Sequence, residues 1–550
     1  MRNPNTFELS RRNFVKLFGG VSVAAALGLA GCGGSGGGTG SGESGEAVKG
    51  GTLNVGFNAN PVGPTNIWVG NDLNSAMIMN LVVPCLVTMD PEGNKTNYLV
   101  EETTSNDDAT VWTVKLKELY WNDGEPLTAE DLVFTATYGV EKAIGFFPSY
   151  YGSVAEAVAI DDRTVEFTMS ETAVNFFNAP GFWIPVMRKS EWEGVEDPLN
   201  YSDYSGAGYG PYYIDEWVDG QYVHLKRNEY FTAANDGEGA WIDEVMFRIY
   251  TDENAMVLAL ENGEVDVCGN FITANSKTQV EGNESYQVVD VSSLGYGQLS
   301  FSQTHPALQN TNVRIALSML IDREAVCSVG LSGGGIPMPC PISPVYEKFV
   351  ESDIQQPGYD VEAAKELLES EGYTEGADGI RVNADGTRLS FKLTYKGTGQ
   401  FDNVIEVLRS AAAEAGVEYD PEALDNTAYS AKVNGHEFDI AFSSWGTIDD
   451  VDTSLYNVYG IGETLNFMEY ENQEMDDLLL QMRQTIDEDE RIKLLDEWQQ
   501  LWVDNMPAVN IYVPVQTYVA STANYTGFEA NYGNNGYMDC SKLTEVHQVQ

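Results

Sequence analysis

Apolar and polar residues alternate along short runs in the first half of the chain. Leu53, Val55 and Phe57 begin this pattern, and a loop rich in Pro, Gly and Asn follows them. The same period recurs in three later runs, TVEFTM (164 to 169), YVHLKR (222 to 227) and DEVMFRIY (243 to 250). A period of two is that of a β-strand with one buried face, so strands are predicted to dominate the first half.

A strand, a turn and a helix are predicted in the segment VWTVKLKELYWNDGEPLTAEDLVFTATYGVEKA, residues 111 to 143. Alternating apolar residues open the segment, and an Asp-Gly pair marks the turn. Thr128 is the predicted helix cap, because its hydroxyl can accept hydrogen bonds from the amides of the first turn. Asp131, three residues on, completes an acidic variant of the capping box.

The apolar period lengthens from about residue 310, which indicates helices. NVRIALSMLIDREAV places its apolar residues on one helical stripe, and a second helix is capped by Asp360 and stopped by Gly372. Strands alternate with these helices, which predicts a doubly wound α/β lobe. The strands are LSFKLTY and EFDIAFSSW, and the chain closes with helices at about 473 to 486 and 488 to 504 and a strand AVNIYVPVQ.

The amino-terminal segment has the layout of an export signal, with positive charge, a short apolar run and small residues in that order. The apolar run from 17 to 30 has 14 residues, whereas a membrane-spanning helix needs about 20. The string SRRNFVK, with Arg11 and Arg12, resembles the twin-arginine export motif, and LAGC resembles the box at which bacterial lipoproteins are cut and lipidated. These resemblances predict a signal peptide at 1–31, a lipid on Cys32, and a Gly/Ser tether over 32–51.

The chain is strongly acidic. Its 550 residues include 83 Asp and Glu against 30 Lys and Arg, a formal net charge of −53. Such a surface repels phosphate backbones, which excludes nucleic acid as a partner. Hydrophobic residues make up 43% of the chain, enough for packed cores, and the length suggests two to three domain-sized units.

Residue types used in catalytic and metal sites are present, but their spacing is not that of such sites. The four histidines are scattered, the six cysteines form no CxxC pair, and HExxH, Gly-x-Ser-x-Gly and phosphate-loop motifs are missing. The sequence therefore predicts no catalytic residue, no metal and no cofactor. With Cys32 lipidated, at least one of the remaining five cysteines is unpaired within the chain: Cys85, Cys268, Cys327, Cys340 and Cys540.

Four ordered motifs resemble those of one family, the large solute-binding proteins that deliver oligopeptides, nickel chelates and similar solutes to membrane ABC importers. The resemblance extends over about residues 52 to 550, and each motif consists mainly of turn residues, caps and helix faces. The motifs are WNDGEPLTAEDLVFT, GYGPYYIDEWVDGQYVHLKRNEYF, LENGEVDV and NVRIALSMLIDREAV.

This resemblance implies an α/β fold of the periplasmic-binding-protein type, with two lobes, a hinge and an extra subdomain in the first lobe. Closure of the lobes would sequester the solute, and the importer would recognise the closed form. Chain crossings near GYGQLSF and PAVNIYV would form the hinge. The implied boundaries are 52–297 for lobe I, about 77–204 for its subdomain, 298–509 for lobe II and 510–550 for the return to lobe I.

The candidate ligand region begins where the strand EFDIAFSSW ends. This strand delivers Trp445 and Gly446 to its C-terminal end, where ligands of open α/β sheets bind. The resemblance implies an Asp three residues after this Trp that pairs with the amino terminus of a peptide, but Ile448 stands at that offset. Asp449 and Asp450 follow, so Asp449 is either an amine ligand or a solvated loop residue. Trp445 is either a pocket wall or a core residue.

Four further candidates lie in the first lobe. Asn58 and Asn60 come at the end of the first strand, and Asn270 and Phe271 follow the run GEVDVC. In the implied fold these residues face the cleft. The alternative for the asparagines at the end of the first strand is turn formation.

The sequence thus predicts an exported protein, lipid-anchored to the outer face of the cell membrane, that captures a small solute and delivers it to the permease subunits of an ABC importer. A peptide is the favoured solute, the protein is expected to be a monomer, and it is not expected to be an enzyme. Two alternatives stay open at this point: a surface sensor or receptor on the same fold, and an exported hydrolase with paired carboxylates. An importer operon beside the gene would distinguish the transport function from the sensor, and turnover of a solute would favour the hydrolase.

Overall fold

The structure is a computed structural model, and it covers most of the chain beyond the predicted tether. Arg11, Arg12 and Cys32 lie outside the described residues. The described residues are 48–62, 72–89, 94–145, 147–174, 176–201, 206–351, 353–397, 399, 401–445, 451–463, 465–531 and 536–549.

Helices are distributed along the whole described chain. They are α1 (Leu73–Val82), α2 (Ala129–Glu141), α3 (Phe147–Tyr151), α4 (Asn178–Trp183), α5 (Lys189–Trp192), α6 (Glu253–Glu261), α7 (Ala274–Val280), α8 (Thr311–Met319), α9 (Arg323–Ala325), α10 (Val361–Ser370), α11 (Asp402–Glu414), α12 (Asn426–Asn434), α13 (Val451–Tyr459), α14 (Gln473–Gln484), α15 (Glu488–Asn505) and α16 (Cys540–Leu543). A π turn lies at Val326–Gly330, and 3-10 turns lie at Asn235–Gly237 and Glu347–Phe349.

Strands are concentrated in the first half but also build the second lobe. They are β1 (Thr52–Phe57), β2 (Val87–Met89), β3 (Lys95–Asn97), β4 (Val100–Ser105), β5 (Val111–Leu116), β6 (Val154–Asp161), β7 (Thr164–Met169), β8 (Tyr212–Val218), β9 (Tyr222–Arg227), β10 (Glu244–Ile249), β11 (Val267–Cys268), β12 (Tyr286–Ser292), β13 (Gly297–Phe301), β14 (Gly335–Pro337), β15 (Thr374–Glu375), β16 (Arg381–Val382), β17 (Ser390–Lys396), β18 (Glu418–Leu424), β19 (Ile440–Ser444), β20 (Ala508–Ser521), β21 (Tyr525–Thr526) and β22 (His547–Gln548).

One large mixed sheet of 12 strands joins the two parts of the molecule. Its order is β18-β17-β19-β13-β20-β11-β1-β10-β9-β8, and β12 and β14 also pair with β20. The first half of β20 pairs antiparallel with β13, where Asn510 lies opposite Gln298. The second half pairs antiparallel with β12, where Tyr518 lies opposite Val289. A single long strand therefore passes from one part to the other.

Two large apolar cores lie on either side of the point at which β20 passes from one part of the molecule to the other. The first core contains Val291 and Tyr518, and the second contains Leu294 and Val513. The chain thus changes from one core to the other just after β12, and again within β20. Both changes lie close to the crossings expected near GYGQLSF and PAVNIYV, so the predicted two-lobed α/β fold is present.

The first lobe carries an additional antiparallel sheet of four strands in the order β4-β5-β7-β6. Helix α2 packs on β6 and β7. Val114, Val165 and Phe167 face inward from this sheet and have no exposed surface. This sheet lies within the stretch predicted to form the extra subdomain.

Several local predictions are confirmed and one is wrong. Asp131 accepts a hydrogen bond from the Thr128 amide at 2.9 Å, as the capping box requires, and Asp360 accepts one from the Ala363 amide at 2.9 Å. The single helix predicted for NVRIALSMLIDREAV ends early at Met319. The reason is that Asp322 caps a new, short turn by accepting from the Ala325 amide at 2.9 Å.

Candidate functional site

Trp445 follows directly after β19, at the edge where the predicted site should lie. Strand β19 pairs parallel with β17 on one side and antiparallel with β13 on the other. The Trp445 amide donates to the Tyr296 carbonyl at 2.8 Å, which extends this pairing by one residue. Gly446, Asp449 and Asp450 lie outside the described residues, so their predicted roles stay predictions.

The indole of Trp445 is held in one orientation. Its ring stacks on Phe467 with centroids 6.1 Å apart and planes inclined by 8°. Its Nε1 donates to Gln298 Oε1 at 3.2 Å. One face and the polar edge of the indole are therefore occupied by protein, and the side chain is still partly exposed. This arrangement suits an aromatic wall whose other face contacts a ligand.

Gln298 connects Trp445 to the strand that joins the lobes. The Gln298 side chain has no exposed surface. Its Nε2 donates to Tyr459 Oη at 2.9 Å and to Asn510 Oδ1 at 2.8 Å, and its Oε1 also accepts from Ser300 Oγ at 3.2 Å. Because an indole N–H can only donate, the atom facing Trp445 must be the amide oxygen, which fixes the orientation of the amide.

Asn510 is itself held by a buried polar network in the second lobe. Its Nδ2 donates to the Pro341 carbonyl at 2.8 Å, and its backbone amide donates to Gln356 Oε1 at 3.1 Å. Arg323 Nε donates to the Asn510 carbonyl at 3.0 Å. Burial lowers the pKa of Arg323 to about 10, which leaves the guanidinium charged at neutral pH.

A small hollow, which we call the Tyr296 hollow, lies beside this network. It encloses about 330 Å³ of empty space, including the part open to solvent. Its walls are mainly apolar and aromatic, and two serines, Ser343 and Ser454, complete them. The other lining residues are Tyr296, Pro341, Ile342, Tyr346, Val451 and Leu455.

The two lobes touch each other through side chains of the first lobe. Phe182, in α4, packs against both apolar cores, and Met89, in β2, is buried within the second core. A larger hollow, which we call the interlobe hollow, lies between the subdomain and α14, with about 780 Å³ of empty space including the part open to solvent. Tyr150 and Glu171 line it from the first lobe, and Arg483 lines it from the second.

The asparagines predicted in the first lobe are engaged in hydrogen bonds within that lobe. The Asn58 amide donates to Asn270 Oδ1 at 2.9 Å, and Asn270 in turn donates to Asn74. Asn270 is buried, so its side chain joins the end of β1 to α1. Asn60 is exposed, and its Nδ2 donates to Asp219 Oδ1 at 2.9 Å.

Phe271 is partly buried, and its ring meets that of Tyr518 edge-on with centroids 6.5 Å apart. The structure thus brings Asn58 and Asn270 into contact, and it places Trp445 in the other lobe. Whether the four first-lobe residues contact a solute stays a prediction.

Sequence reasoning missed Gln298 and the residues of the Tyr296 hollow. A signal for Gln298 was available, because a large polar side chain stands between Tyr296 and Leu299 in the crossing segment. The hollow had no such signal, since its walls come from three segments separated in the chain.

The five described cysteines are free thiols. Burial raises the pKa of Cys327 and of Cys340 to about 12, so both thiols are protonated at neutral pH. Among the described residues, no group of three His, Cys, Asp or Glu side chains is placed to hold a metal ion. Within the same residues, helices long and apolar enough to cross a membrane are not found.

Two lobes joined by a shared strand are the architecture of the hinged, two-lobed class of solute-binding proteins. The sequence model described as bacterial extracellular solute-binding proteins, family 5, middle region, matches residues 96–465. The chain therefore belongs to this family, whose members bind solutes and are not enzymes. Within the family, the chain is 25% identical over 537 residues to the oligopeptide-binding protein AppA of Bacillus subtilis (strain 168), covering 95% of this chain and 97% of AppA.

Solved structures support the same fold. AppA of Bacillus subtilis in complex with a nonapeptide has a TM-score of 0.75 at 23% identity, covering 92% of this chain and 100% of that one. The periplasmic oligopeptide-binding protein TM1223 of Thermotoga maritima has a TM-score of 0.79 at 19% identity, covering 90% and 99%. NikZ of Campylobacter jejuni in complex with Ni(L-His) has a TM-score of 0.76 at 20% identity, covering 90% and 99%.

Proposed function

We propose that the protein captures an oligopeptide between its two lobes and delivers it to an ABC importer. The observation that carries this proposal is the indole of Trp445, which is fixed by Phe467 and Gln298 and is still partly exposed at the carboxyl end of β19. The likeness to AppA over nearly the whole chain supports a peptide as the solute, because AppA is an oligopeptide-binding protein.

Capture would proceed by closure of the lobes about β20. This strand is common to both lobes, so a small change of its backbone angles near Pro514 would rotate one core against the other. The contacts of Phe182 with both cores and of Met89 with the second core are of the kind that closure would form. A solute that contacts both lobes would favour the closed state in proportion to its additional contacts there.

A free amine is the expected anchor of the solute. Asp449 and Asp450 follow Trp445 by four and five residues, and we assign the role of amine ligand to Asp449 from its place in the sequence. A charge-assisted hydrogen bond in a desolvated site contributes about 1.5–3 kcal/mol. The strongly acidic surface would also favour the approach of cationic solutes over anionic ones.

The cellular setting is part of the proposal. The twin-arginine motif at Arg11 and Arg12 would direct export, and a lipid on Cys32 would hold the protein at the outer face of the cell membrane as a monomer. The tether would leave the lobes free to open, close and meet the permease subunits of the importer.

Calorimetry with a library of dipeptides to pentapeptides, amino-acetylated and free, tests this function. We expect the free peptides to bind and acetylation to weaken them. Asp449→Asn should weaken the free peptides by about ten- to a hundredfold, since each 1.4 kcal/mol is a factor of ten. Trp445→Ala should weaken peptides that stack on the indole.

Trp217→Ala is a matched control, because Trp217 is a partly exposed tryptophan in β8 of the first lobe. It should leave peptide affinity unchanged. If acetylation and Asp449→Asn both have no effect, the amine anchor is wrong. If no peptide binds to the unmodified protein, a peptide is not the solute.

A further inference from the structure

The interlobe hollow lies between two parts of the molecule that belong to different cores. Tyr150 and Phe176, on the subdomain side, pack in the first core, whereas Met475 and Met482 of α14 pack in the second. Among the described strands, the four-stranded sheet of the subdomain shares none with the 12-stranded sheet. A change in the angle between the lobes at β20 would therefore widen or narrow this hollow.

The walls of the interlobe hollow are largely polar. Ser149, Ser153 and Thr172 contribute hydroxyl groups from the subdomain, and Gln484 contributes an amide from α14. The centres of water molecules can occupy about 90 Å³ of the hollow, which is room for several waters. Polar walls can separate without exposing much apolar surface to water, so apolar burial does little to hold the lobes together here.

One pair of opposite charges faces this hollow. Among its described lining residues, Glu171 is the only acid and Arg483 is the only base. Glu171 is exposed in the loop after β7, and Arg483 lies in the last turn of α14. Within the part of the chain that the structure describes, neither residue has an ionic partner. Both charges are therefore available to each other across the gap.

The guanidinium of Arg483 is already held in place. Its central carbon lies 4.4 Å from the centroid of the Tyr456 ring. Stacking of this kind occupies a face of the planar guanidinium and leaves N–H groups at its edge to donate to a carboxylate. A positive charge is also favourable in the last turn of a helix. Because the side chain is held before any pairing, less side-chain entropy remains to be lost when a partner arrives.

We propose that Glu171 and Arg483 form an ion pair when the lobes close, a contact that we call the subdomain latch. The inference rests on the closure that the proposed function requires, and it gives the extra subdomain a role, which is to stabilise the closed state at a point away from β20. A partly exposed ion pair is weak, so the latch should raise the ratio of closed to open molecules by only about two- to fivefold. A latch of this strength favours closure and still permits release.

The test measures closure without any added solute, on protein dialysed to remove small molecules. Glu156 in β6 of the subdomain and Glu366 in α10 of the second lobe are both exposed. Each is replaced by a ketone-bearing amino acid that takes a nitroxide label, so that the native cysteines stay unlabelled. Pulsed electron paramagnetic resonance then gives the distances between the two labels and the ratio of short to long distances.

Glu171→Gln, Arg483→Gln and the double variant form a double-mutant cycle in this labelled protein. Each single variant should lower the ratio of short to long distances by about two- to fivefold, and the double variant should lower it little further, because one contact is lost in all three. Arg388→Gln is the matched control, since Arg388 pairs with Asp378 inside the second lobe at 2.6 Å. This control should keep the ratio of the unmodified protein.

Salt provides a second measurement on the same samples. At about 1 M salt the screening length falls to about 3 Å, so the differences between the unmodified protein and the variants should shrink to less than about 1.5-fold. The latch is overturned if Arg483→Gln changes the ratio by less than about 1.5-fold at low salt, if the two single effects simply add in the double variant, or if they persist in 1 M salt. Failure of the proposed function would be seen separately, as the absence of peptide binding in calorimetry.

Discussion

Replacing Gln298 tests whether the Trp445 indole is held by the network that reaches β20. In Gln298→Ala, Asn510 Oδ1 and Trp445 Nε1 lose their partner, and a cavity replaces the amide. Asn510 has no exposed surface, and its Nδ2 bond to Pro341 at 2.8 Å prevents it from turning to a new partner. Trp445 is partly exposed, so water can replace the lost bond there.

The expected loss of stability follows from these contacts. One buried unsatisfied acceptor costs about 1–3 kcal/mol, and a cavity from a truncated buried side chain adds a similar amount. We therefore expect the free energy of unfolding to fall by about 2–5 kcal/mol in Gln298→Ala. Urea unfolding followed by circular dichroism measures this difference.

Gln298→Glu keeps the shape and replaces two donors by an acceptor. Burial disfavours the charged form, so the pKa of the introduced carboxyl should rise above its unfolded value of about 4.3. The unfolded state then releases its proton first as pH increases, and the variant should lose stability as pH rises from 4.3 to the raised pKa. Comparing the free energy of unfolding at pH 5 and at pH 8 tests whether the variant loses stability as pH rises.

Gln500→Ala is the control for both variants. Gln500 is exposed on α15 and, among the described residues, donates only to Asp504 on the same helix, so its loss should change stability by less than about 0.5 kcal/mol. The network does not hold the site as described if Gln298→Ala lowers the free energy of unfolding by less than about 1 kcal/mol. The same conclusion follows if the difference in stability between Gln298→Glu and the wild type is the same at pH 5 and at pH 8.

Three further predictions address other parts of the molecule. Gly297→Ala should destabilise the protein by about 1–3 kcal/mol in urea unfolding, because an added Cβ would lie 2.2 Å from the Tyr512 ring. Gly358→Ala should leave stability unchanged, because a Cβ there meets nothing within 4 Å, and equal effects of the two variants would contradict this prediction. Burial lowers the pKa of His305, so neutral His305 contributes fully to stability above about pH 6.5, and this contribution is lost as pH falls from 6.5 towards the lowered pKa. The melting temperature should therefore fall less over this pH range in His305→Gln than in the unmodified protein, and an equal fall in both would refute the role of His305. Cys32→Ala should release folded protein from salt-washed membranes, and its retention there would mean that the lipid anchor is wrongly assigned.

The parts of the fold that could be predicted are those whose interactions join residues close together in the sequence. The caps at Thr128 and Asp360 are local, so residue type and spacing were enough to find them. The break in the helix after Met319 was also local, but the apolar stripe continued through it and hid the new cap at Asp322. A periodic pattern records which face is buried, and it does not record where the hydrogen bonding of a helix is interrupted.

The candidate site was predictable only where it follows a strand. Trp445 could be placed because an apolar strand ends there, but the partners that orient it come from distant parts of the chain. Gln298 precedes it by 147 residues, and Asn510 is 212 residues from Gln298. The Tyr296 hollow likewise requires segments that only the folded sheet brings together.

The proposed function requires that the protein hold a peptide between its lobes. Native mass spectrometry of the full protein purified from its own host tests this claim most directly, because a ligand enclosed by closed lobes is retained during gentle purification. We expect ions heavier than the bare protein, and denaturation should release the excess as one or more peptides that fragmentation can sequence. An excess mass that fragments as a metal chelate, a sugar or another molecule without peptide bonds would contradict the account.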